Sequence, residues 1–305
     1  MSNRDIAPRD DDSRACGPLP GCKPRPEPPE RDEEVVGKAI KDRRDKVVLA
    51  TKCGLVWNKE VGKIYFCSDD DMVDPRASKY VVHRYLGPKS IREEVELSLR
   101  RLQTDYIDLY QTHWQDPTTP PETTMEELMR LKEDGKIRAI GVSNATPEIC
   151  ELYRKEGVLD SDQELYSMLD RGMEKSMLPY CEQNNMAFLA YSPLAQGLLT
   201  GKVTPGREFD ENDQRNRKER FTPENRRKVL TMLDEFRPIA EAHDITLAQL
   251  AIAWTAAQPG CTHVLCGARS PEQVRENAVG GEVELSEREL ATISAAIAKF
   301  AKDIP

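Results

Sequence analysis

The sequence predicts an α/β fold organised on a parallel sheet, and three observations carry that expectation. Short apolar runs recur along the chain: VVLA (47–50), YIDLY (106–110), IRAIGV (137–142), QELYSM (163–168), MAFLAY (186–191) and HVLCGA (263–268). Amphipathic segments of helical length lie between them. Most of the runs are continuous rather than strictly alternating, which suits strands covered on both faces. Alternating strands and helices imply a parallel sheet with right-handed crossovers. At 305 residues, the chain has an ordinary length for an α/β barrel.

The elements follow in order. The first 29 residues hold seven of the 21 prolines, and their only branched aliphatics are Ile6 and Leu19. Such a stretch buries too little apolar surface to offset its ordering entropy, so residues 1–32 are expected to be disordered or weakly docked. From Glu33 a helix is expected to Lys41, with Val35, Val36 and Ile40 at helical spacing, and the folded domain is expected to occupy 33–305. Further helices are expected over Ile91 to Leu102, Met125 to Glu133, Pro147 to Lys155, Met177 to Asn184 and Pro223 to His243. Ser90 to Glu93 reads as a capping box. Thr146-Pro147 and Ser270-Pro271 place a hydroxyl at the cap and proline at the first helical position, and Gln273 completes a second box.

Composition excludes several function classes. The chain carries 44 Lys plus Arg against 53 Asp plus Glu, a formal net charge of −9. That balance argues against a nucleic-acid or anionic-membrane partner and for a cytoplasmic protein. No apolar run is long enough to cross a bilayer, and no signal peptide opens the chain. The cysteines lack CxxC spacing and read as reduced thiols. No metal site is expected: Cys261, His263 and Cys266 read as strand residues, because strand alternation would not point all three one way. Asp69 to Asp71 reads as a solvated loop, His83 as a surface histidine and His243 as a structural group at a helix end. There is no G-x-G-x-x-G, no HExxH and no nucleophile elbow. The GLLTGK stretch is one residue short for a Walker loop, and Val203 stands where that loop needs Ser or Thr.

Polar residues gather where the apolar runs end: Thr51-Lys52, Gln111 to Trp114, Ser143-Asn144, Gln163, Tyr191 to Pro193 and Gly267 to Arg269. In barrels this C-terminal rim is where ligands bind and chemistry occurs. Here the chain resembles the aldo-keto reductases, through LATKCG (49–54), IDLYQTHW (107–114), GKIRAIGVSN (135–144), AYSPLAQGLLTGK (190–202) and GARSPEQVRENA (267–278). The resemblance implies a (β/α)8 TIM barrel that reduces small-molecule aldehydes and ketones with NADP(H) and needs no metal. By resemblance, Lys52 and His113 belong to the catalytic set. Ser143, Asn144 and Gln163 would hold the carboxamide end of the cofactor, and Tyr191 would stack on the nicotinamide. Ser192, Pro193, Leu194, Gln196 and Gly197 would follow the pyrophosphate, with Lys202 and the stretch to Phe221 as a flexible cover. Gly267 and Arg269 would meet the 2′-phosphate end, and Gln273, Glu276 and Asn277 would face the adenosine.

One part of the resemblance is missing. The family's catalytic aspartate and tyrosine belong to a D-T-A-x-x-Y-G segment just ahead of the helix matched by Glu33 to Lys41, where this chain has Pro24 to Asp32. Its first tyrosine is Tyr65. The expectation is therefore an incomplete barrel in which the third to eighth strands are recognisable. Its carbonyl reduction would be weakened by about 10²–10⁴-fold for want of a general acid. The alternatives are an NADPH-binding pseudoenzyme and a non-functional barrel fragment. Open edges at VVLAT and HVLCGA would invite self-association.

Overall fold

The computed structural model describes residues 30–57, 59–67, 81–211, 213–300, 302 and 304. The expected disordered stretch, apart from its last residues, and the Asp69 to Asp71 run lie outside these.

The six expected strands form one parallel sheet. They are β1 (Ala50–Cys53), β5 (Ile107–Thr112), β6 (Ile137–Ser143), β7 (Ser161–Leu165), β8 (Ala187–Tyr191) and β9 (His263–Leu265), in the spatial order β1-β5-β6-β7-β8-β9. The intervening numbers belong to a second sheet that the sequence reading missed. Its strands β2 (Leu55–Trp57), β3 (Lys63–Cys67) and β4 (Val81–Arg84) pair antiparallel in the order β2-β4-β3. His83 lies within β4 and is buried, which corrects the surface reading.

Helices cover the parallel sheet: α1 (Glu30–Ile40), α2 (Pro88–Leu102), α3 (Pro121–Glu133), α4 (Pro147–Arg154), α5 (Met177–Gln183), α6 (Pro223–Ala242), α7 (Leu247–Ala256), α8 (Pro271–Gly280) and α9 (Glu287–Phe300). Their inward faces form one core with the strands, including Ile91, Val95, Ile107, Leu128, Ile140, Phe188, Leu250 and Ile293. Two boundaries differ from expectation for clear reasons. α2 starts at Pro88 after Gly87, since proline at the first position is already set for the helix. Ser90 is thus inside α2, donating to Glu94 rather than capping. At α8, Ser270 caps as expected, but the Gln273 side chain accepts from the Arg269 N–H, one residue beyond a capping box. His243 ends α6 with its Nε2 2.8 Å from Glu289, as a structural group would.

β1 and β9 stand at the two ends of the parallel sheet. Large exposed apolar side chains gather near those ends: Val35, Val36 and Val48 on the β1 side, and Leu265, Val274 and Val279 on the β9 side. Of the three residues at helical spacing in α1, Ile40 alone packs, partly buried, against the core. Val35 and Val36 face outward because α1 packs on α2 alone among its stronger contacts.

Candidate active site

Parallel pairing sets the site. Lys52 in β1 is in register with Gln111 of β5, and Cys53 with Thr112. The His113 N–H donates to the Cys53 carbonyl at 2.9 Å, which sets His113 beside Lys52 at the rim. Burial, and then the Lys52 charge, lower the His113 imidazole to a pKa of about 4. At neutral pH it is therefore an uncharged donor. Neither ring nitrogen has a hydrogen-bond partner among the described residues.

The next three strands bring a polar cluster to the same rim. Ser143 Oγ donates to the Gln163 carbonyl at 2.7 Å. Asn144 has φ 55°, a left-handed conformation that asparagine tolerates better than most residues. That turn lets its Nδ2 donate to the His113 carbonyl at 3.0 Å, while its Oδ1 accepts from the Tyr191 hydroxyl at 3.0 Å. Asn144 thus ties the His113 backbone to the Tyr191 ring. Below it, Gln111 Nε2 donates to Gln163 Oε1 at 3.1 Å. Gly141 makes this possible: a Cβ there would meet Ser161 Oγ at 2.3 Å and Gln111 Cγ at 2.8 Å. With its oxygen held, Gln163 keeps its amide N–H groups without an acceptor among the described residues.

After β8 the backbone turns repeatedly through left-handed conformations, with φ 57° at Ser192, 45° at Ala195, 55° at Gln196 and 98° at Gly197. Three of these are not glycine, and such strain tends to cluster at ligand clamps. Mixed right- and left-handed runs also turn backbone N–H groups into an anion-binding concavity. The cover beyond it is tied down: Lys218 Nζ donates to Gln196 Oε1 at 3.1 Å. Buried Arg215 pairs with Asp213 at 2.6 Å and lies over the Phe209 ring at 4.0 Å. Arg226 donates to the carbonyls of Phe221, Thr204 and Arg207. Arg215 first, and Arg269 in smaller part, hold the Asp213 carboxyl below its usual range, so the cover reaches the start of α8.

At that start the Arg269 guanidinium makes no ion pair among the described residues. Asn277 Nδ2 donates to the Gly267 carbonyl at 3.4 Å, and Lys202 lies 3.7 Å from Glu276. Among the described residues, no three His, Cys, Asp or Glu side chains gather in a way that could hold a metal. Register and hydrogen bonds thus link Lys52, His113, Ser143, Asn144, Gln163 and Tyr191 across neighbouring strands. The reading missed Trp57, Tyr65 and Arg84, which enter from the small antiparallel sheet.

The donor set fits a dinucleotide with a carboxamide at one end and phosphates at the other. Among the described residues, Gln163 offers amide N–H groups without an acceptor, the strained strip is of a kind that suits an anion, and Arg269 is a cation without an ion pair beside a helix N-terminus. Fold and site define an α/β oxidoreductase of the nicotinamide-dependent kind. A model of the Aldo/keto reductase family matches residues 29–298. The chain is 41% identical over 259 residues to the NADH-specific methylglyoxal reductase of Escherichia coli (strain K12), covering 84% of this chain and 76% of that one. It is 39% identical over 247 residues to aldo-keto reductase YhdN of Bacillus subtilis (strain 168), covering 80% and 69%. The solved glycerol dehydrogenase AKR11B4 from Gluconobacter oxydans superposes with a TM-score of 0.79 at 36% identity, over 89% of this chain and 78% of that one. An aldo/keto reductase from Klebsiella pneumoniae, solved with NADP and acetate, gives 0.62 at 30% identity, over 87% and 75%. The chain belongs to the aldo/keto reductase family.

Proposed function

We propose that this chain binds NADP(H) along the rim of the parallel sheet and uses it to reduce small aldehydes or ketones at a modest rate. The observation that supports this most is the linked series from Lys52 to Tyr191 across neighbouring strands. The cofactor, when bound, supplies the hydride. Neutral His113 donates a hydrogen bond to the carbonyl oxygen, the Lys52 ammonium favours the negative charge that grows there, and solvent water supplies the proton that completes the alcohol. With that pair as the polar groups at the reacting end, turnover is proposed to fall about 10²–10⁴-fold below a complete acid–base set.

Arg269 supports NADP(H) over NAD(H), because its fork suits a phosphate dianion. Replacing it by alanine is expected to weaken NADPH binding at least tenfold and to change NADH binding less than twofold, read by cofactor fluorescence. Equal effects on both cofactors would reject the assignment. An aldehyde panel, assayed alongside, tests the chemistry: slow turnover fits this reading, and ordinary family rates would overturn the weakened acid step. NADPH binding with no turnover would favour the second reading, a pseudoenzyme, which the same series supports.

We also propose one barrel-type domain over 33–305, a cytoplasmic setting, and self-association through the apolar ends of the sheet. No helix among the described residues is long and apolar enough to cross a membrane.

A further inference from the structure

The small antiparallel sheet has no part in the series just described, yet it is anchored two residues beyond Lys52. Gly54 donates its N–H to Glu94 at 2.8 Å, and its carbonyl accepts from the Tyr85 N–H at 3.1 Å. Leu55 and Lys63 flank Arg84 in register on its two neighbouring strands. A register shift between Ile64 and Phe66 frees Tyr65 from the regular pairing, and bulges of this kind re-aim a side chain. The Tyr65 ring lies 5.3 Å from Trp114, the residue after His113, and 5.6 Å from the Arg84 guanidinium. A short aromatic wall thus runs from His113 to a cation.

That cation is unusual in this molecule. Arg44, Arg101, Arg171 and Arg215 are each shielded and each sit against a carboxylate. Arg84 is also partly buried, yet it has no ion pair among the described residues, and its Nε is shut off from solvent with no acceptor. A shielded guanidinium without an anion carries a desolvation penalty that an incoming anion relieves. The proposed phosphate strip follows β8 and the proposed 2′-phosphate position follows β9, whereas Arg84 belongs to the small sheet that follows β1, so the proposed cofactor path is built on other elements.

We propose that Arg84 is a specificity-determining residue that receives the carboxylate of a short oxo acid whose carbonyl lies at His113, with Tyr65 and Trp114 lining the way between. The inference rests on the proposed reacting end at Lys52 and His113, and it names the substrate class for that end.

The test uses the full chain and two probes of matched shape, butyrate and butyramide, with and without saturating NADPH. Tryptophan fluorescence reports binding, since Trp57 and Trp114 both belong to the wall or its neighbours. Butyrate is expected to bind about tenfold tighter than butyramide, the scale of a charge-assisted hydrogen bond. Arg84→Met should bring the two within twofold, and Arg84→Lys should restore part of the preference, the ammonium lacking the bidentate fork. Equal affinities in the parent chain, or a preference that survives Arg84→Met, would overturn the proposal. A failure of NADPH to bind while the carboxylate preference persists would count against the cofactor reading and still support Arg84.

Discussion

Trp254→Ala is expected to lower unfolding free energy by about 3–5 kcal/mol, the cost of truncating a fully buried tryptophan. Trp254 is 0% exposed and sits in α7, a helix buried along nearly its whole length. Its indole stacks on Tyr166 at 6.2 Å with 24° between planes, and Tyr166 meets Phe188 edge-on at 6.0 Å. The indole N–H donates to Ser294 Oγ at 3.4 Å, joining α7 to α9. Removing it opens a void between strands and two helices and leaves the Ser294 hydroxyl without that donor. Against a total of roughly 5–15 kcal/mol for a typical protein, such a loss is large. Urea unfolding followed by far-ultraviolet circular dichroism measures it, and Trp254→Phe should retain a good part of the stability. A loss under about 1 kcal/mol would mean that the site collapses freely around the gap. The effect should also reach the rim, because the Tyr166 N–H donates to the Tyr191 carbonyl at 3.3 Å, and Tyr191 is the proposed nicotinamide platform.

The six strands were legible because each is a dense apolar run of a length that suits a strand. Their limits were not, since pairing partners set them. VVLA contributes only Ala50 to β1, and Val48 is 84% exposed. The ladder begins where β5 offers Leu109 as partner to Ala50, and from there it carries Lys52 to the level of Gln111. The small sheet left a weaker trace. Its strands are short, one of them bulges at Tyr65, and part of the chain between β3 and β4 is charged rather than apolar. Arg84 and Tyr65 were therefore not read as site residues, because V-V-H-R alone alternates too little to mark a half-buried strand. Ser143 and Asn144 were singled out by their place in the GKIRAIGVSN motif, and Gln163 by its place in the next apolar run. The support from Gln111 was not, because it depends on Gly141 leaving room across a strand pair that no linear spacing reveals.

Asp162→Asn is expected to stabilise the fold at pH 8 by about 1–3 kcal/mol, the range over which a buried polar group without partners is penalised. Asp162 is 0% exposed in β7, and neither carboxyl oxygen reaches a hydrogen-bond partner among the described residues. Burial first, and then the neighbouring Glu164 charge, push its carboxyl well above the usual range. Glu164 lies two residues along the strand and accepts from the Ala145 N–H at 2.8 Å, so the two acids crowd one face. The sign follows from linkage. A carboxyl whose native pKa exceeds its unfolded value keeps its proton longer when folded, so its contribution is most favourable below the unfolded pKa and declines as pH rises above it. Glu94 adds to the same decline, since burial raises it to about 7 despite bonds from the Gly54 N–H and the Ser90 hydroxyl. The Asp162 and Glu94 contributions therefore fall between about pH 4 and pH 7, against an opposite contribution from His113, whose imidazole is held at about 4 and so favours folding as pH rises over the same interval. Asp162→Asn should remove one part of that slope and Glu94→Gln another, the two changes adding because they lie on different strands and helices. Urea midpoints taken from pH 4 to pH 8 decide the matter. An Asp162→Asn chain whose slope matches the parent's would show that the β7 acids are solvated or paired after all.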